Sequence, residues 1–282
     1  MRWLRNLFSR TDSATPDAAR ASAEASPATA APAEPLGWVS HQRVSSEGPV
    51  AIAVDLALEG RAPLPDRPRL VRIRYRLKVA RPDGLPEANE AEALARVGDL
   101  LGAALAPAGA VYAGRATAAG RREHLFYLAE GAEVGPALDP LAPQLADYAL
   151  ETQAEEDAGW EAYRQELFPT PRTLRWLLDR RAVEGLTRRG DAVSVARPVD
   201  HQASFPSAEA REAFAAEAAA QGFEPVARRD DGPPPNGFGV DLRRDDPVAL
   251  RHLHGVTWGL AELAGRHGGA YDGWESGATR AG

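Results

Sequence analysis

The sequence predicts an α+β protein of two domains, the first an antiparallel sheet with helices on one face and the second a four-stranded sheet flanked by two helices. Three observations carry this. The chain has 282 residues, room for two domains of ordinary size. Hydrophobic residues at 44% and charged residues at 26% are close to globular averages. Stretches of two-residue alternation and of 3.6-residue periodicity follow one another from about residue 36 to residue 276.

Residues 11–35 are Ala, Pro, Ser, Thr and Asp with almost no large apolar side chain. Such a stretch cannot bury enough surface to offset its ordering entropy, so residues 1–35 are expected to be a disordered tail. Its first ten residues carry Trp3, Leu4, Leu7 and Phe8 on one helical face, with Arg2, Arg5 and Arg10 elsewhere, a short amphipathic start. They lack the apolar run of a secretory signal.

The first domain is expected over 36–168. Val50, Ile52, Val54, Leu56 and Leu58 alternate with smaller or polar residues as a strand. Val71, Ile73, Tyr75, Leu77 and Val79 alternate with Arg72, Arg74, Arg76 and Lys78, a second strand with one cationic face. Leu94, Val97, Leu101 and Leu105 recur at helical spacing over about 87–105. Residues 111–117 and 123–128 form a hairpin around Ala118-Ala119-Gly120. Residues 141–167 are expected to be helical, ending before Pro169. Thr170 and Pro171 then cap and open a helix over 171–188 that Gly190 closes, giving a helical connector over 169–190.

The second domain is expected over 191–282. Val193 and Val195 start a strand running toward His201. Ser207 caps a helix over 208–220, with Glu209 in its first turn and Gly222 just past its end. Phe223 and Val226 mark a second strand, residues 230–237 a loop, and Phe238, Val240 and Leu242 a third strand. Asp246 and Pro247 open a helix that buries Leu250, Leu253, Val256, Leu260 and Leu263, and Gly268-Gly269 end it. Tyr271 to Glu275 supply the last strand. The order βαββαβ is that of a ferredoxin-like sandwich.

Charge and composition narrow the function. The net charge of −7 is uneven: residues 191–282 hold 14 acids against 9 bases. An acidic surface repels phosphate backbones and suits a basic protein segment. The chain has no cysteine, which removes disulfides, thiolate metal sites and cysteine nucleophiles and fits a reducing, cytoplasmic setting. No apolar run approaches the ~20 residues of a membrane span.

No catalytic, metal or cofactor motif stands out: phosphate loops, dinucleotide fingerprints and nucleophile elbows are all missing. His252 and His254, two apart on a helix, point about 200° apart and cannot share a metal. Two features remain. The cationic strand Arg72-Arg74-Arg76-Lys78 could hold RNA phosphates, or be matched by cross-strand acids such as Asp55 and Glu59. Tyr271-Asp272-Gly273-Trp274-Glu275, a glycine between an acid and a tryptophan on a terminal strand, suggests a bulge and either a packed ring or an interaction surface.

Those residues also carry a resemblance. Arg197-Pro198-Val199-Asp200-His201, Phe205, Phe214, Gly222-Phe223, Ala264 and Gly269-Ala270-Tyr271-Asp272-Gly273-Trp274-Glu275 make residues 191–276 resemble the regulator of ribonuclease E activity B (RraB) family. The preceding part resembles a bacterial domain of unknown function often fused ahead of it, through Trp38, Gly84-Leu85-Pro86, Glu90, Gly114, Thr117, Arg121-Arg122-Glu123, Phe126-Tyr127, Trp160, Tyr163 and Leu167-Phe168-Pro169. The resemblance implies a small acidic, non-enzymatic regulator that binds the arginine-rich half of an RNA-degrading endoribonuclease and inhibits it. It makes Asp200, His201, Tyr271, Asp272, Trp274 and Glu275 the expected partner-binding residues. The family's regulators carry long acidic extensions, whereas a near-neutral tail follows Glu275 here. Two other readings stand beside it: RNA binding by the cationic strand, and an enzyme with a polar inter-domain cleft.

Overall fold

The computed structural model describes residues 37–232 and 235–279. The expected tail and amphipathic start, residues 1–35, lie outside them. The described residues fall into two compact units that meet in sequence at Pro169 and Thr170.

The first unit is built on six antiparallel strands in the order β1-β2-β4-β5-β3-β6. They are β1 (Trp38–Ser45), β2 (Gly48–Asp55), β3 (Arg69–Arg76), β4 (Val111–Ala118), β5 (Arg121–Leu128) and β6 (Glu151–Glu156). Helix α1 (Ala91–Leu105) lays Leu94, Val97, Leu101 and Leu105 on one face, against Val71, Ile73, Tyr75 and Phe126. The opposite face is covered in part by Trp160 and by a π-helical turn, Tyr163–Leu167.

Residues 141–167 depart from the expected helix. Leu145 and Tyr148 pack beneath α1, and residues 151–156 extend as an edge strand along β3. The reason is pairing: an all-exposed Glu-Thr-Gln-Ala-Glu-Glu run has no apolar face for a helix to bury. As an edge it meets the arginines of β3 and resists further strand addition through its charge. Strand β1 was not foreseen either, and β2 ends at Asp55, where the chain turns through Leu56–Leu58.

Trp160 anchors this unit. It is fully buried at φ 55°, stacks on Tyr127 with ring centroids 3.8 Å apart and donates its indole N–H to the Arg67 carbonyl at 2.9 Å. A left-handed tryptophan is strained, and Asp157 helps hold it. The Asp157 carboxylate accepts from the Glu161 and Ala162 amides and from the Tyr127 hydroxyl.

The second unit opens with α2 (Pro171–Arg188), capped by the Thr170 hydroxyl. Then come β7 (Ala196–Phe205), α3 (Ala208–Ala219), β8 (Glu224–Arg229), β9 (Phe238–Pro247), α4 (Leu250–Arg266) and β10 (Ala270–Ser276). The sheet order β10-β7-β9-β8, antiparallel throughout, is ferredoxin-like. Both α3 and α4 pack on one face, Phe214 of α3 and Leu260 of α4 joining Phe205, Phe223, Val240 and Leu242 in one core cluster. Asp246 and Pro247 end β9 instead of opening α4, because Ala196 and Arg197 pair across from them. The expected connector, residues 169–190, contains α2, whose Val183 and Leu186 join Val199, Val248 and Leu253 in a core cluster.

Candidate functional site

The bulge in β10 sorts the candidate residues onto two faces. Tyr271 stands opposite Ala203, Gly273 opposite Gln202 and Trp274 opposite His201, so Asp272 is the extra residue. Side chains three apart on a regular strand point to opposite faces; one inserted residue puts them on the same face. Tyr271 and Trp274 thus both point toward the helices, with His201. Asp272, Glu275 and Asp200 share the helix-free face. Gly273 takes φ 155°, which a side chain would resist.

On the helix side the three residues are held by internal partners. Tyr271 is buried; its hydroxyl meets His201 Nδ1 at 2.8 Å, and the Arg175 guanidinium lies 4.8 Å from its ring centre. Burial lowers the His201 pKa to about 4, so the imidazole is neutral. Trp274 donates its indole N–H to Asp179 at 3.1 Å. Asp179, fully buried on α2, also accepts from the Thr257 hydroxyl at 2.6 Å and meets His254 Nδ1 at 3.1 Å. One carboxylate therefore ties α2, α4 and β10 together. The sequence held a signal for it: an acid on the stripe that also holds Leu174, Arg175, Leu177, Val183 and Leu186.

The helix-free face is acidic. The register puts Asp200, Glu224, Asp241, Asp245, Asp272 and Glu275 on it, against Arg229 and Arg243. Asp200 accepts both forks of Arg243 at 2.6 and 2.8 Å, and Arg229 pairs with Asp241. That leaves six acids against two bases, an excess of four negative charges. Asp272 accepts from the Ser204 hydroxyl at 3.2 Å, and its pKa is pushed up to about 6, by burial first and by Asp241 in addition.

The cationic strand of the first unit is largely neutralised. Arg72 is 8% exposed and bonds to Glu155 at 2.8 Å, to Glu123 at 3.3 Å and to both oxygens of Glu166 at 2.7 and 2.8 Å. Arg74 pairs with Glu123 and Lys78 with Asp147, while Arg76 is exposed. Asp55 and Glu59 are not the partners, because β3 lies between β5 and β6; the Asp55 carboxylate accepts from the Ala57 amide instead.

His252 meets Asp246 at 2.7 Å and His254 meets Asp179, so the two histidines do point apart. His124, fully buried, meets the hydroxyls of Tyr75 at 3.0 Å and Tyr112 at 2.7 Å. No cluster of three or more potential metal-ligating His, Asp or Glu side chains occurs among the described residues. No helix among them is long and apolar enough to cross a membrane.

Comparison with known proteins agrees with this division. Residues 37–168 match a family of unknown function, DUF695, and residues 177–276 match the family Regulator of ribonuclease activity B. The chain thus carries an RraB-like domain behind a domain of unknown function. No curated protein matches it. Among solved structures, an unknown protein from Galdieria sulphuraria is 14% identical, covering 76% of this chain and 98% of that one, at a TM-score of 0.20. A hypothetical protein is 12% identical, covering 84% of this chain and 94% of that one, at a TM-score of 0.16. Likeness at that level carries no structural argument.

Proposed function

We propose that this chain is a non-enzymatic regulator that docks an arginine-rich protein segment on the helix-free face of its second unit, and that the segment belongs to an endoribonuclease of the ribonuclease E type. The carrying observation is the excess of four negative charges that the β10 bulge and the strand register collect on that face. The match of residues 177–276 to a ribonuclease-regulator family supports the class of partner. An extended basic segment fits because its charge attracts from a distance and speeds encounter. Asp200, Asp272 and Glu275 are assigned to contact. His201, Tyr271 and Trp274 are assigned to hold the strand that presents them.

The test is binding of the full chain to the arginine-rich region of endoribonuclease E at two salt concentrations, with cleavage of an RNA substrate read alongside. We expect binding that weakens steeply with salt, since exposed charges are screened over about 8 Å at physiological ionic strength. Charge reversal by Asp245→Lys or Glu275→Lys should reduce it at least tenfold. Binding that ignores both salt and these reversals would sink the proposal.

A further inference from the structure

Basic charge in the second unit is concentrated where the acidic face is not. Residues 170–190 hold six arginines, of which Arg175 is buried against Tyr271, and two acids, Asp179 and Glu184. Asp179 is buried beneath α2 and serves Trp274, His254 and Thr257, so it does not offset charge at the surface. Glu184 reaches Arg180 only at 3.7 Å, an exposed pair of little worth. Arg172 and Arg188 have no ion pair among the described residues.

These arginines interleave with aromatic rings. Trp176 is 36% exposed on α2, with the Arg180 guanidinium 4.8 Å from its ring centre. One turn back, Arg172 lies 5.8 Å from the ring centre of Trp258 on α4. Trp258 borders a pocket of about 160 Å³ that is also lined by Pro171, Arg175, Glu262, Gly269 and Tyr271. A cationic row that tracks phosphates, with flat rings on which bases stack, is the construction that holds single strands. The Glu262 carboxylate at the pocket can accept from the exocyclic amino group of a base.

We propose that α2 and Trp258 form a binding surface for single-stranded RNA, with phosphates on Arg172 and Arg180 and bases on Trp176 and Trp258. The site lies on helices, apart from the acidic sheet face, and does not depend on it. A regulator built this way would hold an RNA strand with one element and a basic protein segment with another.

The test is fluorescence anisotropy of a labelled oligocytidine of roughly ten nucleotides, within the usual footprint of such sites, titrated with the full chain at several salt concentrations. Wild type should bind at low salt with affinity falling linearly in log salt. Arg172→Ala and Arg180→Ala should each lower that slope by about one. Trp176→Ala should weaken binding about tenfold and leave the slope unchanged, with circular dichroism confirming its fold. Arg96→Glu, an exposed charge reversal in the first unit, should change little. Absence of binding by the wild type at low salt overturns the proposal. So does an Arg96→Glu loss equal to that of the α2 variants, which would mark a net-charge effect. Neither result bears on the acidic face, whose partner is assayed separately.

Discussion

The indole N–H of Trp274 donates to the fully buried carboxylate of Asp179, joining the closing strand of the second unit to the helix that opens it. This contact gives Trp274 a structural duty. A buried acceptor that loses one of its donors costs about 1–3 kcal/mol. Trp274→Phe, which keeps an aromatic ring but removes the N–H and part of the packing on the cluster of Val183 and Leu253, is therefore expected to lower the unfolding free energy by at least that amount in urea titrations. Affinity for the basic partner should stay within about twofold. A large affinity loss with unchanged stability would return Trp274 to the contact surface.

Asp272 makes the acidic face responsive to pH. Its folded pKa, about 6, lies above the ordinary 3.8, so the folded state holds this proton more tightly than the unfolded state. The stability this contributes is complete below pH 4 and is lost as pH rises through 6. Two pKa units correspond to at most about 3 kcal/mol, less after solvent screening. Asp272→Asn should remove that part of the pH dependence, seen by urea unfolding at pH 4.5 and 7. Affinity for a basic segment should rise in the wild type as pH passes about 6, and the Asn variant should lack the rise.

Arg72 and Arg76 lie on one strand and should behave oppositely. Arg72 is the shared partner of Glu123, Glu155 and Glu166. Its removal leaves Glu155 and Glu166 without their cation and Glu123 with Arg74 alone. Breaking a buried pair costs about 3–5 kcal/mol, and part-exposed partners bring the expected loss to the lower end of that range or below it. Arg76→Ala, at an exposed position, should stay within about 0.5 kcal/mol. Paired urea titrations decide this. Equal, small effects would mean that the charge cluster around Arg72 contributes little.

How much of this was legible in the sequence follows the range of the interactions. The βαββαβ order, the Ser207 cap and the strand around Arg72 were readable because alternation, helical spacing and caps are local signals. Strand β6 was not, since Glu151–Glu156 owes its extension to pairing with β3, about 80 residues away. The bulge could be suspected from Gly273, but which residues it turned outward needed the register with β7. Asp179 stands on the apolar stripe of an arginine-rich helix, a signal that it faces inward, but its donors Trp274, Thr257 and His254 come from elements that only the packing brings to it. The acids that neutralise Arg72 come from β5, β6 and the π-helical turn, a convergence that no sequence window contains.

Histidine burial sets the acid limit of both units. His124 is pushed down to about 3 and His201 to about 4, each chiefly by burial. Both folded values lie below the ordinary 6.5, so each group's contribution is complete above pH 6.5 and is lost as pH falls toward 4. In the second unit the Asp272 proton offsets part of that loss, and in the first unit the Glu59 proton does the same, its pKa raised by burial to about 7. The two units are therefore expected to lose stability to a similar, modest extent between pH 6.5 and 5. Amide hydrogen exchange across that range, followed separately for β5 and β7, measures it. A much faster opening in either strand than in the other on acidification would overturn that balance.

Gly269 is the position where a single methyl group should do most damage. A Cβ there would lie 2.3 Å from Phe205 Cδ1 and 2.6 Å from the Ser204 carbonyl oxygen, both on the neighbouring strand β7. The phenyl ring cannot retreat, because Phe205 is fully buried against Phe214 at 4.8 Å between ring centres. Overpacking of this kind costs typically 1–3 kcal/mol, and a backbone oxygen in the way puts the cost at or above the upper end. Gly269→Ala is thus expected to destabilise the second unit by about 3 kcal/mol, whereas Gly259→Ala, with open space around it, should be neutral or stabilising. Thermal unfolding of the two variants side by side tests the packing of β10 on β7. A Gly269→Ala protein as stable as the wild type would show that β10 can move away from Phe205.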